Sequence, residues 1–289
     1  MSVSISQAHK NVWSSRYNKQ NLFLIALVWF FLHVLLMTIP QKMTMPPEMT
    51  LMLFVIVNIL IFILGAGFGA LGINNVVHGR KNVLPNIFQD IGTVFFTGFK
   101  SASGGCLWFL PLGILGLAVI LVSMGFSAQT PSLSIQILII GLILYSIVWC
   151  ITLVMACFQS YIFFISLNFE DWFNFKKELN RRRGNMGKFL VLILKLLLLL
   201  FITIILACIA AAIIGVITTL LLPVDMDEVR NLINLIVSAI ASIAAGLIYT
   251  LYWIDLVGQF IRDLYPEKFK KKINQEVRKI KRPNDGQTA

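Results

Sequence analysis

Three groups of residues in this 289-residue chain have side chains or spacings that chemistry could use. Gly67-Phe68-Gly69-Ala70-Leu71-Gly72 matches the GxGxxG spacing of dinucleotide sites. That fingerprint works only where a strand turns into a helix and aims backbone N–H groups at a pyrophosphate. Here it falls late in a long apolar run with no strand before it, so no cofactor is expected. Gly65, Gly69 and Gly72 instead make a small face against which another helix can pack closely. Cys106, Cys150, Cys157 and Cys208 form the second group. All lie in apolar runs, without a CxxC pair or a nearby His, so they are read as small apolar fillers rather than metal ligands or disulfide partners. No P-loop, HExxH or GxSxG is present, and no catalytic or metal residues are assigned.

The third group is ionisable or polar residues inside apolar runs: His33, Asn58, Lys195 and Asp255. Charge at membrane depth is costly and makes such residues functional candidates. Lys195 lies only two turns into its apolar run, so its stem can carry the ammonium to the headgroups. A structural pair with Asp255, or a place in a proton or substrate path, are the other two readings. His33 is expected to be a hydrogen-bonded core residue, because no carboxylate shares its depth.

The elements that position these groups are long apolar segments. Hydrophobic residues make up 58% of the chain and charged residues 13%, about half the charged share of a soluble domain. Crossing a membrane takes roughly 20 apolar residues. Six stretches qualify, near 22 to 39, 51 to 72, 104 to 126, 134 to 166, 189 to 222 and 232 to 257. Continuous apolar runs of that length must be helices, since hydrocarbon leaves no partner for free backbone groups. The predicted fold is all-α: an integral membrane bundle of six transmembrane helices with cytoplasmic amphipathic interfacial helices. Residues 1–21 form a cytoplasmic tail, 22–258 the membrane domain and 259–289 a basic cytoplasmic tail. The first segment is longer than a signal-peptide core and lacks a small-residue cleavage site, so it is expected to remain as a helix.

Orientation follows from the cations. Of 24 Lys and Arg residues, all but Lys42, Lys195 and Arg230 fall in stretches that six spans place on one side. The positive-inside rule puts that side, with both termini, in the cytoplasm. The net charge of +11 therefore points to anionic lipid headgroups rather than nucleic acid. Lys268, Lys270, Lys271 and Lys272, beside the stripe Phe269, Ile273, Val277 and Ile280, are the candidate headgroup contacts of an interfacial tail helix. Two further amphipathic stretches are expected. One is Ile87 to Phe99, with a break and hinge at Ser101 to Gly105. The other is Asn168 to Lys188, where Phe169, Trp172, Phe173 and Phe175 precede clustered cations as an interfacial anchor. Small residues at four-residue spacing, Ala207, Ala211 and Gly215 against Ser238, Ser242 and Gly246, predict an antiparallel hairpin of the last two spans.

The run Gly69 to Lys100, with Gly79-Arg80, Leu84-Pro85, Asp90, Phe95-Phe96 and Gly98-Phe99-Lys100, resembles the signature region of a prokaryotic membrane-protein family, domain of unknown function 4013. Phe173-Asn174-Phe175-Lys176-Lys177 and Gly187-Lys188-Phe189-Leu190 are similar to that family's second cytoplasmic segment. The resemblance covers about residues 20 to 260. It implies a six-helix protein of a bacterial or archaeal plasma membrane, with no established activity and no functional residue to carry over. On these grounds the leading expectation is a non-enzymatic membrane scaffold or accessory subunit with a membrane-protein partner. A small transporter, channel or lipid-handling protein is the alternative, with Pro111 and the Ser101 to Gly105 break lining a cavity. An enzyme is third, for want of convergent acids, bases or nucleophiles.

Overall fold

The computed structural model describes residues 3–14, 20–27, 46–80, 83–127, 131–174, 179–221 and 227–266. All of its regular elements are helical: α1 (Ile5–Ser14), α2 (Pro47–Val77), α3 (Ile87–Ser127), α4 (Pro131–Ser166), a short 3-10 helix (Phe169–Phe173), α5 (Leu179–Leu221) and α6 (Asp227–Leu264). Residues 20–27 are also helical. Five helices are long and apolar enough to cross a membrane: Pro47–Val77, Asp90–Gly125, Ile135–Ser166, Gly184–Thr218 and Ile236–Leu264. They make a multi-pass membrane protein the coarse reading of the fold. Most of the expected first span, including His33, lies outside the described residues, as do Lys268, Lys270, Lys271, Lys272 and the tail helix predicted around them.

Helix ends follow local chemistry. Pro47 opens α2 and Pro131 opens α4, at positions where a missing N–H costs no intrahelical bond. Gly79, at φ +68, turns the chain out of α2 in the left-handed region that glycine enters freely. Leu167 ends α4 in the same region, at φ 59, where its Cβ is strained by about 1–2 kcal/mol. Asn74, on α2, donates its amide to the carbonyls of Phe164 (2.8 Å) and Ile165 (3.0 Å), the last turn of α4, which has no intrahelical donors left. Arg262, in the last turn of α6, likewise donates to the Val76 carbonyl at the end of α2. The C-termini of α2, α4 and α6 therefore meet at one end of the bundle, where α2 caps α4 and α6 caps α2.

That end also holds the core. Ile73 and Val77 of α2, Phe163 of α4, Leu192 of α5, and Ile254, Phe260 and Ile261 of α6 are all buried. Phe158, Phe189 and Phe260 join α4, α5 and α6 in an aromatic cluster, with ring centroids 4.6 Å apart for Phe158–Phe189 and 6.3 Å for Phe189–Phe260. Away from this end the apolar helices face outward. In the most apolar stretch of α4 no residue is buried, and in α2 only 11% are, so lipid or another protein must cover these faces.

Two expectations about the amphipathic stretches are corrected. Ile87 to Phe99 is not a separate interfacial helix followed by a hinge, because α3 runs unbroken through Ser101 to Gly105 and Pro111. The small residues there permit close approach rather than bending. A side chain at Gly98 would overlap the Ile63 carbonyl of α2, and one at Gly67 would overlap the Val94 carbonyl of α3, so the two backbones cross in contact. Gly104 makes room for the Trp172 indole. Trp172 is accordingly no headgroup anchor: it is buried beside Phe163 at 5.4 Å, with its own N–H unpaired and its carbonyl accepting from the Trp108 indole at 3.2 Å. Of the other three aromatics, Phe169 is partly buried against the core, Phe173 is 40% exposed, and Phe175 lies outside the described residues.

The small-residue faces are corrected in part. Gly69 lies against the Trp253 ring and Gly72 against Ile254, both on α6, whereas Gly65 has open space around it. Helices α5 and α6 pack as the expected antiparallel hairpin. Ala207, Ala211 and Gly215 are half-buried, but Ser238, Ser242 and Gly246 are exposed. α6 turns a neighbouring face inward instead, with Val237, Ala241 and Ala245 half-buried, and Asn234, nearer its start, accepts from Thr218 of α5 at 2.9 Å.

Candidate functional site

A cluster of polar side chains forms where α1 meets α6, beside the common core. α1 starts at Ser4, whose hydroxyl accepts the Gln7 N–H at 3.3 Å and whose carbonyl accepts that of Ala8 at 3.0 Å. Its buried face is narrow: Ala8 and Val12 are buried, with Val3 and Trp13 partly covered against the core. The rest of the attachment is polar. The Ser4 N–H donates to Gln259 Oε1 at 2.9 Å, and Gln259 Nε2 donates back to the Ser4 carbonyl at 3.3 Å. His9 Nδ1 lies 2.6 Å from the Tyr252 hydroxyl, which also accepts from Trp13 Nε1 at 3.3 Å.

Asp255 sits at the centre with 0% exposure. Asn11 Nδ2 donates to its Oδ1 at 2.9 Å, and Gln259 Nε2, one turn further along α6, donates to its Oδ2 at 2.5 Å. These donors, with the nearby positive charge of Arg262 on the same helix, offset the cost of burying a carboxylate. Lys195, on α5, donates to the Val3 carbonyl just before α1. The sequence-level pair of Lys195 with Asp255 is therefore not formed: each charge is bonded to the N-terminal segment. Asn58 stands apart, exposed on α2 and bonded to the Phe54 carbonyl of its own helix at 2.7 Å.

Comparison with family models, curated proteins and solved structures yields no match to this chain. Function must accordingly be read from the geometry alone. Among the described residues no group of three or more His, Cys, Asp or Glu is placed to hold a metal ion. Cys106, Cys150 and Cys208 are exposed and Cys157 is half-buried, all as free thiols.

Several residues that organise this region carry no signal in a one-dimensional pattern. Asn11, His9, Ser4 and Tyr252 belong to a short tail helix and a span that periodicity treats as separate, and only the fold brings them together. Asn74 and Asn75, at the end of an apolar run, belong to no motif that singles them out. Asn75 donates to the Val83 carbonyl at 3.2 Å and accepts from Arg80 at 2.9 Å, closing the corner between α2 and α3. With Gly79, buried Leu84 and Pro85, and Asp90 accepting the Asn86 N–H at 3.2 Å, the run that carried the family resemblance forms this corner.

Proposed function

We propose that the chain is a non-enzymatic membrane scaffold or accessory subunit of six spans, with both termini in the cytoplasm. The observation that supports this best is how the polar groups are used. Asn74, Asn75, Arg80, Gln159 and Arg262 are engaged in closing helix ends and loops, and Asp255 and Lys195 in binding the N-terminal segment. What is left outward is apolar helix surface, which suits contact with lipid and with the spans of a partner. The six-span count rests on the apolar run from residue 22 to residue 39, and the orientation on the cations. The cytoplasmic membrane of a prokaryote and kinship with domain of unknown function 4013 remain part of this proposal.

Two experiments test it. A reporter active only outside the cytoplasm should work when fused after Pro46, Ala128 or Asp227 and stay silent after Lys81, Arg182 or Lys279. Activity after Arg182 would overturn the topology. In proteoliposomes the purified protein should move neither ions nor solutes, and Lys195→Ala or Asp255→Ala should lower thermal stability. Flux that is lost on either substitution at unchanged stability would replace the scaffold with a transporter.

A further inference from the structure

The N-terminal segment bonds Lys195 and Asp255 of the spans, and it is held more by polar bonds than by buried surface. α1 has ten residues, fewer than the roughly 12–15 at which an isolated helix is even marginal in water. No acidic residue stands in its first turn and no basic one in its last. Only Ala8 and Val12 are buried from it, and no disulfide or ion pair ties it to the bundle among the described residues. Its attachments are hydrogen bonds, several of them to half-exposed groups that water can replace.

Losing it would have a large consequence. Asp255 would lose the Asn11 amide and keep Gln259 and the charge of Arg262 on its own helix, and Lys195 would lose its carbonyl partner. Uncompensated charge at this depth is costly. The two charges lie on neighbouring antiparallel helices, and both reach one short segment: Lys195 bonds Val3, the next residue Ser4 bonds Gln259, and Gln259 bonds Asp255. A lysine stem can swing across that span.

We propose that α1 is a detachable strap that keeps Lys195 and Asp255 apart. Docked, the Val3 carbonyl holds the ammonium and the Asn11 amide holds the carboxylate. Released, the two charges pair with each other, drawing α5 and α6 together at the face α1 has left. The strap is thus a two-state element whose position any ligand of α1, lipid or protein, would bias.

The test uses the full chain in lipid nanodiscs, with the four native cysteines replaced by alanine. A cysteine at buried Ala8 should react with a water-soluble maleimide at least roughly tenfold more slowly than one at exposed Gln7. Asn11→Asp sets a second carboxylate against Asp255, and Asn11→Leu removes the donor. Each should bring the Ala8→Cys rate to within about twofold of the Gln7→Cys rate. With the strap released by Asn11→Leu, adding Lys195→Met should lower the unfolding temperature clearly more than it does in the Asn11 background. Equal rates at positions 7 and 8 in the Asn11 protein would show that no strap is docked. Protection of Ala8→Cys in both Asn11 variants, or an identical effect of Lys195→Met in both backgrounds, would equally overturn the proposal.

Discussion

The two halves of the bundle obey different rules. Where α2, α4 and α6 end, large side chains interlock and backbones cross at glycine, and among the described residues only the Asn21 amide and the Trp172 indole N–H are buried side-chain polar groups without a partner. Toward the other end, helices touch along single seams. Gly116 lies under the Tyr145 ring and Gly141 under Val119, joining α3 to α4, while Ile140, Ile143, Ile147 and Ile151 of the same helix point outward. Packing inside a membrane gains nothing from excluding water, so contact must come from shape and from polar bonds. The first half has both. The second half has mainly length and apolarity, which suffice for insertion but not for a unique arrangement.

If this contrast is right, substitutions should sort by half rather than by residue type. Phe260→Ala, which empties the centre of the aromatic cluster, should cost the most, about 3–5 kcal/mol in a reversible unfolding titration in mixed micelles. Gly98→Val drives a branched side chain into the Ile63 carbonyl and should cost about 3 kcal/mol, seen as a lower midpoint in the same titration. Asn74→Leu keeps the volume but strips the cap from the α4 carbonyls, an expected loss of about 1–3 kcal/mol. At the other end, Ser242→Leu adds bulk to an exposed face of α6 and should stay within about 0.5 kcal/mol of the parent. A large loss there, with the protein still monomeric, would mean that the outward faces are packed after all.

How legible the molecule was from its sequence divides along the same line. Apolar length located α2, α3, α4, α5 and α6, and short connections made α5 and α6 an antiparallel hairpin, because those properties are set locally. The glycines were visible, but which of them meet a neighbour depends on the angle at which two helices cross. Gly65 faces space and Gly67 faces a backbone, although they are two residues apart. Ser101 to Gly105 reads as a hinge by composition, yet tertiary contact with Trp172 keeps it helical. Lys195 and Asp255 stood out as buried charge, while their actual partners, Val3 and Asn11, lie in a tail that no periodicity connects to them.

The contrast between the two halves is tested most directly by oxygen accessibility of spin labels placed singly along α4 in a lipid bilayer. Labels at Ile140, Ile143, Ile147 and Ile151 should all collide freely with oxygen, as in lipid, whereas those at Phe158, Ile162 and Phe163 should be shielded from both oxygen and a water-soluble relaxer. Shielding at Ile140, Ile143, Ile147 and Ile151 equal to that at Phe158, Ile162 and Phe163 would contradict the account.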